Sequence, residues 1–278
     1  MRNVIRINNL TKTYGKHRGV ADVSFNVQEG EIFGFIGPNG AGKSTTIRSM
    51  LGFLKFNSGS IEILGKDSVK DHEAILREVG YMPSEALFYP SMTVLETIKY
   101  AAAVRGLDCS REASRLIERL KVDPDKRIKE LSLGNRKKVS IICAMQHRPK
   151  LFIFDEPTSG LDPLMQNTFF ELINEYVSLG TTCMLSTHVL SEVRKHCHRA
   201  AVMRDGHLIK TDTVENLITS SVKNVKVTIS GQHDEYVFKG DINDLVASLA
   251  GKHLDNLSVE EPSLEDMFMH FYDGKEEA

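Results

Sequence analysis

Residues 32–36 run Ile-Phe-Gly-Phe-Ile and residues 151–154 run Leu-Phe-Ile-Phe. Apolar runs this short and unbroken suit strands of a parallel sheet covered on both faces. Other segments are only half apolar. Residues 4–7 alternate like an edge strand, residues 23–27 read as a further strand, and residues 60–63 form one that ends at Leu64-Gly65. Thr93-Val94-Leu95-Glu96 is a capping box that opens a helix running to about Val104. Ala113, Leu116, Ile117 and Leu120 line one helical face, and residues 164–177 read as another helix. Residues from about 84 to 147 therefore form a helical insertion between sheet strands. Asp205-Gly206 marks a hairpin turn between residues 200–203 and 207–210.

The pattern changes after residue 220. Residues 222–229 and 236–239 read as strands, 241–249 as a helix, 256–259 as extended and 264–272 as a helix, with an acidic, disordered end at 273–278. The expected organisation is a substantial α/β domain over residues 1–220 and a small α+β appendage over 221–278. A hydrophobic content of 41% supports a sizeable core, and a net charge of −2 argues against general nucleic-acid binding. No stretch approaches the roughly 20 apolar residues of a membrane span, and the N-terminus lacks a secretory apolar region, so a soluble, intracellular protein is expected. Any membrane role then requires separate chains. Cys109, Cys143, Cys183 and Cys197 show no paired spacing, which fits a reducing compartment. His196-Cys197-His198 lacks a second ligand pair and reads as a solvated helix end.

Residues 37–45 carry the clearest chemistry, Gly37-Pro38-Asn39-Gly40-Ala41-Gly42-Lys43-Ser44-Thr45, between an apolar strand and a helix. That context is the one a phosphate-binding loop requires. Its glycines let several backbone N–H groups wrap a phosphate chain, and the following helix N-terminus favours an anion. Lys43 adds a point charge near the β- and γ-phosphates, and the Ser44 hydroxyl is a Mg²⁺ ligand candidate. Asp155 and Glu156 follow the second apolar strand, where ligands bind in open α/β sheets. Asp155 is the expected outer partner of the Mg²⁺, and Glu156 is placed to orient or deprotonate an attacking water. Ser132, in Leu131-Ser132-Leu133-Gly134-Asn135, reads as the N-cap of a third helix able to hold an anion.

In this order the motifs resemble the nucleotide-binding subunit of an ATP-binding cassette (ABC) transporter, across residues 1 to about 210. Gly37 to Thr45 is similar to Walker A, Leu131 to Asn135 to the signature with Ser132 and Gly134 kept, and Leu151 to Glu156 to Walker B. Ser159-Gly160-Leu161-Asp162 resembles the D-loop, His188 the switch histidine, and Tyr14 the aromatic stacked on adenine. The resemblance implies an α/β P-loop NTPase of ABC ATPase type: a mixed sheet core, a helical subdomain and here the C-terminal α+β appendage. It implies ATP and Mg²⁺ as cofactors, Glu156 and His188 as catalytic residues, and a head-to-tail homodimer. In that dimer each ATP touches Walker A of one copy and Ser132 with Gly134 of the other. It further implies a transmembrane permease subunit, with the cassette in the cytoplasm on the inner face of the cell membrane. The helical insertion is expected to form the permease groove, with a few residues near Tyr89 and Met92 lining it. Residues 262–268 resemble the tail of cassettes serving drug or peptide exporters. Ser84 stands where the family carries Gln as a Mg²⁺ and water contact; its shorter hydroxyl reaches an ion through a bridging water. Two competing functions are a non-transport cassette, which lacks support because long coiled coils and a second cassette are missing, and a nucleotide sensor with poor turnover.

Overall fold

A computed structural model describes residues 2–15, 17–85, 87–218 and 222–260. The expected helix at 264–272, the exporter-like segment 262–268 and the acidic end lie outside the described residues. The chain divides into two compact units, residues 1–211 and 212–278.

In the first unit, β1 (Asn3–Tyr14) and β2 (His17–Gln28) form a long antiparallel pair. β3 (Ile32–Ile36) leads through residues 37–42 into α1 (Lys43–Met50). β4 (Ser58–Ile63), β5 (Lys66–Asp67), α2 (His72–Glu78) and β6 (Val79–Met82) follow. The insertion contributes α3 (Val94–Val104), α4 (Ser110–Arg119), a 3-10 turn at Ile128–Glu130 and α5 (Leu133–Met145). Then come β7 (Leu151–Asp155), α6 (Pro163–Ser178), β8 (Thr182–Thr187), α7 (Leu190–His196), β9 (Arg199–Arg204) and β10 (His207–Thr213).

Two sheets result. One has the order β2-β1-β4-β5; the other has the order β10-β9-β3-β8-β7-β6, with parallel pairing from β9 to β6. The apolar runs are explained by this second sheet. Phe152 and Phe154 face a cluster built with α3, α4, α5 and α6, while Leu151 and Ile153 face a second cluster shared with β1, β2 and α1. With both faces covered, no position in β7 can be polar until the strand ends, and all five of its residues are buried.

Two expectations are corrected. Residues 4–7 are not an edge: β1 pairs with β2 on one side and β4 on the other. Its inward residues Ile5, Ile7 and Leu10 alternate because one face is core, not because one edge is free. His196-Cys197-His198 does end α7, with His198 exposed as a solvated end would be, but His196 and Cys197 are half-buried. The His196 ring stacks 3.7 Å from Phe170, and the Ile32 N–H donates to His198 Nδ1 at 2.9 Å. Burial, with the carboxylates of Glu192 and Glu31 adding to it, pushes the Cys197 thiol well above its usual range. Among the described residues no group of three or more His, Cys, Asp or Glu could hold a metal ion.

The capping box is present: Thr93 accepts from the Glu96 N–H, and Glu96 accepts from the Thr93 N–H. The Asp205-Gly206 turn has φ values of 47° and 81°, as the two positive angles of a tight hairpin demand. In the second unit, α8 (Val214–Ile218), β11 (Val222–Ile229), β12 (Gln232–Lys239), α9 (Ile242–Leu249) and β13 (Leu254–Glu260) appear, with sheet order β12-β11-β13. Val225 and Val227 pack with Leu245 and Leu249 as its core.

A buried carboxylate fastens the helical insertion. Glu112 on α4 is 6% exposed and accepts from Arg115, Arg148 and the Tyr176 hydroxyl of α6. Burial pushes its carboxyl up, but hydrogen bonds from Arg115, Tyr176 and Arg148 outweigh this and hold it at about 2. The folded pKa is thus below the unfolded one. Its stabilisation, about 3 kcal/mol, is fully present above the unfolded carboxylate range and is lost as pH falls towards 2. Glu112→Ala is expected to lower stability by about 3 kcal/mol at pH 7. Urea midpoints for both proteins should converge as pH drops from 5 to 3; a constant gap would refute this role.

Candidate nucleotide-binding site

The parallel register decides where the chemistry lies. Ile36 of β3 pairs with Thr187 of β8, and Asp155 of β7 pairs with Ser186. The carboxyl ends of three adjacent strands therefore emerge together, and each continues into a motif: residues 37–42 after β3, Glu156 after β7 and His188 after β8.

The loop after β3 is shaped by what glycine alone permits. A Cβ on Gly37 would lie 2.5 Å from the Met203 carbonyl oxygen. Gly42 has φ 100°, and a Cβ there would lie 2.5 Å from Val20 Cγ1. The hairpin turn after β9 braces the loop, with the Gly206 N–H donating to the Ala41 carbonyl at 3.2 Å. Pro38 accepts from the Ala41 N–H. Asn39 and Gly40 form the exposed tip. Lys43, Ser44 and Thr45 open the first turn of α1, where N–H groups lack intrahelical partners, and the ladder begins with the Thr46 N–H donating to the Gly42 carbonyl at 2.9 Å.

Lys43 is 5% exposed. Its ammonium donates to the carbonyls of Gly37 at 2.6 Å and Pro38 at 3.2 Å, and lies 3.2 Å from Glu156 Oε1. The other oxygen, Glu156 Oε2, is 2.7 Å from His188 Nδ1. One carboxylate thus joins the phosphate loop to the switch position. Asp155 is fully buried; Ser186 Oγ donates to its Oδ1 at 2.6 Å, while its Oδ2 has no hydrogen-bond partner. A buried carboxylate oxygen left without a donor is costly, and a hard cation satisfies it. The donor set fits Mg²⁺, with the Asp155 carboxylate and the Ser44 hydroxyl as oxygen ligands.

Ser84 is half-buried and follows β6, whose Met82 pairs with Phe154, so it emerges beside Asp155. Tyr14 is 45% exposed at the end of β1, with Lys12 Nζ 5.1 Å from its ring centroid. A Cβ on Gly19 would lie 2.9 Å from the Tyr14 ring, and neighbouring Val20 abuts Gly42, so the ring stands near the loop's end. Ser132 and Gly134 are not in this cluster. Ser132 caps α5, its Oγ accepting from the Asn135 N–H at 3.3 Å, and a Cβ on Gly134 would lie 2.6 Å from the Gly160 carbonyl. Asp162 caps α6 through the Met165 N–H. The close approach of Gly134 to Gly160 brings the signature against residues 159–162.

Sequence reasoning missed three groups. Ser186 donates to Asp155 and also accepts from the Glu156 N–H at 3.1 Å. Glu192 of α7 accepts from Thr187 Oγ1 at 3.0 Å, and that hydroxyl accepts from the Val189 N–H, bracketing His188. Burial pushes the Glu192 carboxyl up. Lys137 donates to the Glu156 carbonyl at 2.6 Å. Only Lys137 had a legible signal: it lies four residues before Ile141, on the buried face of α5.

Residues 20–159 match the family model described as ABC transporter. The chain belongs to that family. It is the ATP-binding, ATP-hydrolysing subunit. BcrA, the bacitracin transport ATP-binding protein of Bacillus licheniformis, is 33% identical over 85% of this chain and 78% of its own length. LnrL, the linearmycin resistance ATP-binding protein of Bacillus subtilis (strain 168), is 29% identical over 96% of this chain and 97% of its own. A solved ATP-binding subunit of an ABC transporter, 31% identical, covers 77% of this chain and 91% of that one with a TM-score of 0.72. The cassette fold is therefore the α/β P-loop fold read from the sequence.

Gly37→Ala should be informative because its clash is with backbone, which cannot turn aside. Overpacking costs about 1–3 kcal/mol, so the cassette's ATP affinity should fall about 5- to 150-fold. Calorimetric titration of the folded variant measures this; unchanged affinity would show that the loop relaxes freely.

Proposed function

We propose that this ATPase subunit powers an exporter of drugs or peptides. ATP lies along residues 37–45, with the adenine stacked on Tyr14 and Mg²⁺ held by Ser44 and Asp155. Glu156 is the general base that takes a proton from the attacking water, and His188 orients that water and meets the γ-phosphate. The observation carrying this reading is the single carboxylate that touches both Lys43 and His188. Lys43 donates to two carbonyls and meets Glu156 Oε1 as an ion pair only, that oxygen having no hydrogen-bond partner. A bound phosphate therefore competes with Glu156 for Lys43 and leaves the carboxylate available to water. Mg²⁺, when bound, neutralises charge developing on the phosphates.

Two copies close head to tail in this reading. Ser132, Gly134 and Asp162 lie on a face apart from the phosphate loop, and a second copy unites them with its nucleotide. An apolar groove of about 1050 Å³ beside α3 receives the transmembrane permease; it is lined by Leu87, Tyr89, Met92, Tyr100 and Val104. Leu87 is 88% exposed and Val104 70%, large apolar side chains that a partner would cover. The groove is wider than the few residues near Tyr89 and Met92. Among the described residues no helix is long and apolar enough to cross a membrane. In this reading the span belongs to the permease and this subunit sits on its cytoplasmic face. The direction and cargo class follow the relatives named for bacitracin transport and linearmycin resistance.

Glu156→Gln tests the reading. Turnover should fall about 10²–10⁴-fold while ATP binding persists, and ATP with Mg²⁺ should hold a dimer on size exclusion. A monomer with unchanged phosphate release would overturn it; negligible release by the wild type would favour a nucleotide sensor. Ser84→Ala should change ATP affinity by no more than about twofold, because a water can bridge to Mg²⁺. Its larger effect should be on how the permease alters turnover, read as ATPase rates with and without that partner. Loss of ATP binding would make Ser84 a direct ligand.

A further inference from the structure

Arg136-Lys137-Lys138 is a run of three basic residues; Lys137 is 4% exposed while its two neighbours are only half-buried. Among the described residues no carboxylate lies within ion-pair distance of its ammonium. Burial pulls its pKa down, against the pull of the Glu156 and Asp155 charges. An ammonium buried beside a carbonyl, with no paired carboxylate, is an expensive arrangement.

What it holds is the Glu156 peptide. Glu156 has φ 52°, a left-handed conformation that costs a non-glycine residue about 1–2 kcal/mol. Two ties keep it there. Its N–H donates to the Ser186 carbonyl at 3.2 Å and hydroxyl at 3.1 Å, both in β8. Its carbonyl accepts from Lys137 at 2.6 Å, in α5. The first tie belongs to the sheet. The second comes from the helix that Ser132 caps, only five residues upstream and about 7 Å along the same rigid axis.

We propose that Lys137 is a positioning residue through which the N-terminus of α5 sets the Glu156 carboxylate. A shift of α5 when Ser132 meets the nucleotide of a second copy moves the Lys137 ammonium and, with it, the Glu156 carbonyl. The coupling makes hydrolysis at one site respond to the nucleotide at the other. It rests on Glu156 as the base and on Ser132 as the contact across the dimer.

The test uses Lys137→Met, which keeps length and apolar contact but cannot donate, and Lys137→Gln, which restores an N–H donor without charge. In the full-length protein, with melting temperature checked for each, Lys137→Met should lower kcat about 10- to 100-fold with KM for ATP little changed. The ATP dependence of its residual rate should also lose cooperativity. Lys137→Gln should recover most of kcat and the cooperativity. Wild-type kcat and cooperativity in Lys137→Met would overturn the proposal, as would equal impairment of both variants tracking equal losses of melting temperature. Glu156→Gln assayed alongside separates the two ideas. If that variant still turns over, the assignment of the base fails; if it is inactive and Lys137→Met is not, the coupling alone fails.

Discussion

Burial of the parallel sheet on both faces is the constraint from which the site follows. With Phe152 and Phe154 committed to one core and Leu151 and Ile153 to the other, the first polar side chain that β7 can carry comes at its carboxyl end. The same holds for β3, which is apolar and buried throughout and meets its first polar side chain only at Asn39. Because β3, β8 and β7 are adjacent and in register, three ends coincide. A loop of N–H groups, two carboxylates and a histidine are brought together by strand pairing rather than by any direct attraction among them.

Within that frame the charges are arranged as exchangeable pairs. Lys43, Glu156 and His188 form one chain of contacts that runs from a buried end at Lys43, where charge counts for more than it would in water, to an exposed end at His188. Asp155 is kept out of that chain by Ser186, which satisfies one of its oxygens and leaves the other for a cation. Two carboxylates adjacent in sequence thus acquire different duties from their partners.

The fold class and the local motifs were legible because local physics dictates them. A phosphate loop needs Gly at 37 and 42 for closeness and φ, and a strand buried on both faces must be apolar throughout. What was hidden depends on partners far away in the chain. The place of β1 between β2 and β4 is fixed by β4 more than fifty residues later. His198 is bound to Ile32 across 166 residues, which no inspection of His-Cys-His could reveal. Lys137 sits in a basic run that says nothing of its burial, although the period of α5 puts it on the inward face. The full extent of the groove was hidden too, since its lining combines α3 and the loop before it with α2, β6 and α5.

The left-handed turn at Glu156 ties these threads together. In a continuing strand, Asp155 and Glu156 would point to opposite sides of the sheet. The φ of 52° breaks that alternation, so that Asp155 stays buried against Ser186 while Glu156 swings towards Lys43 and His188. Glycine would adopt this angle at less cost but would supply no carboxylate. The residue to which the proposed mechanism gives the base is therefore also the one that bears the strain, and the ties from β8 and α5 keep it in place. The conformation that gives Glu156 its reach is thus sustained by groups outside the nucleotide pocket. On the proposed coupling, its geometry follows the insertion that bears α5, and the strain is the physical reason a remote helix would influence it.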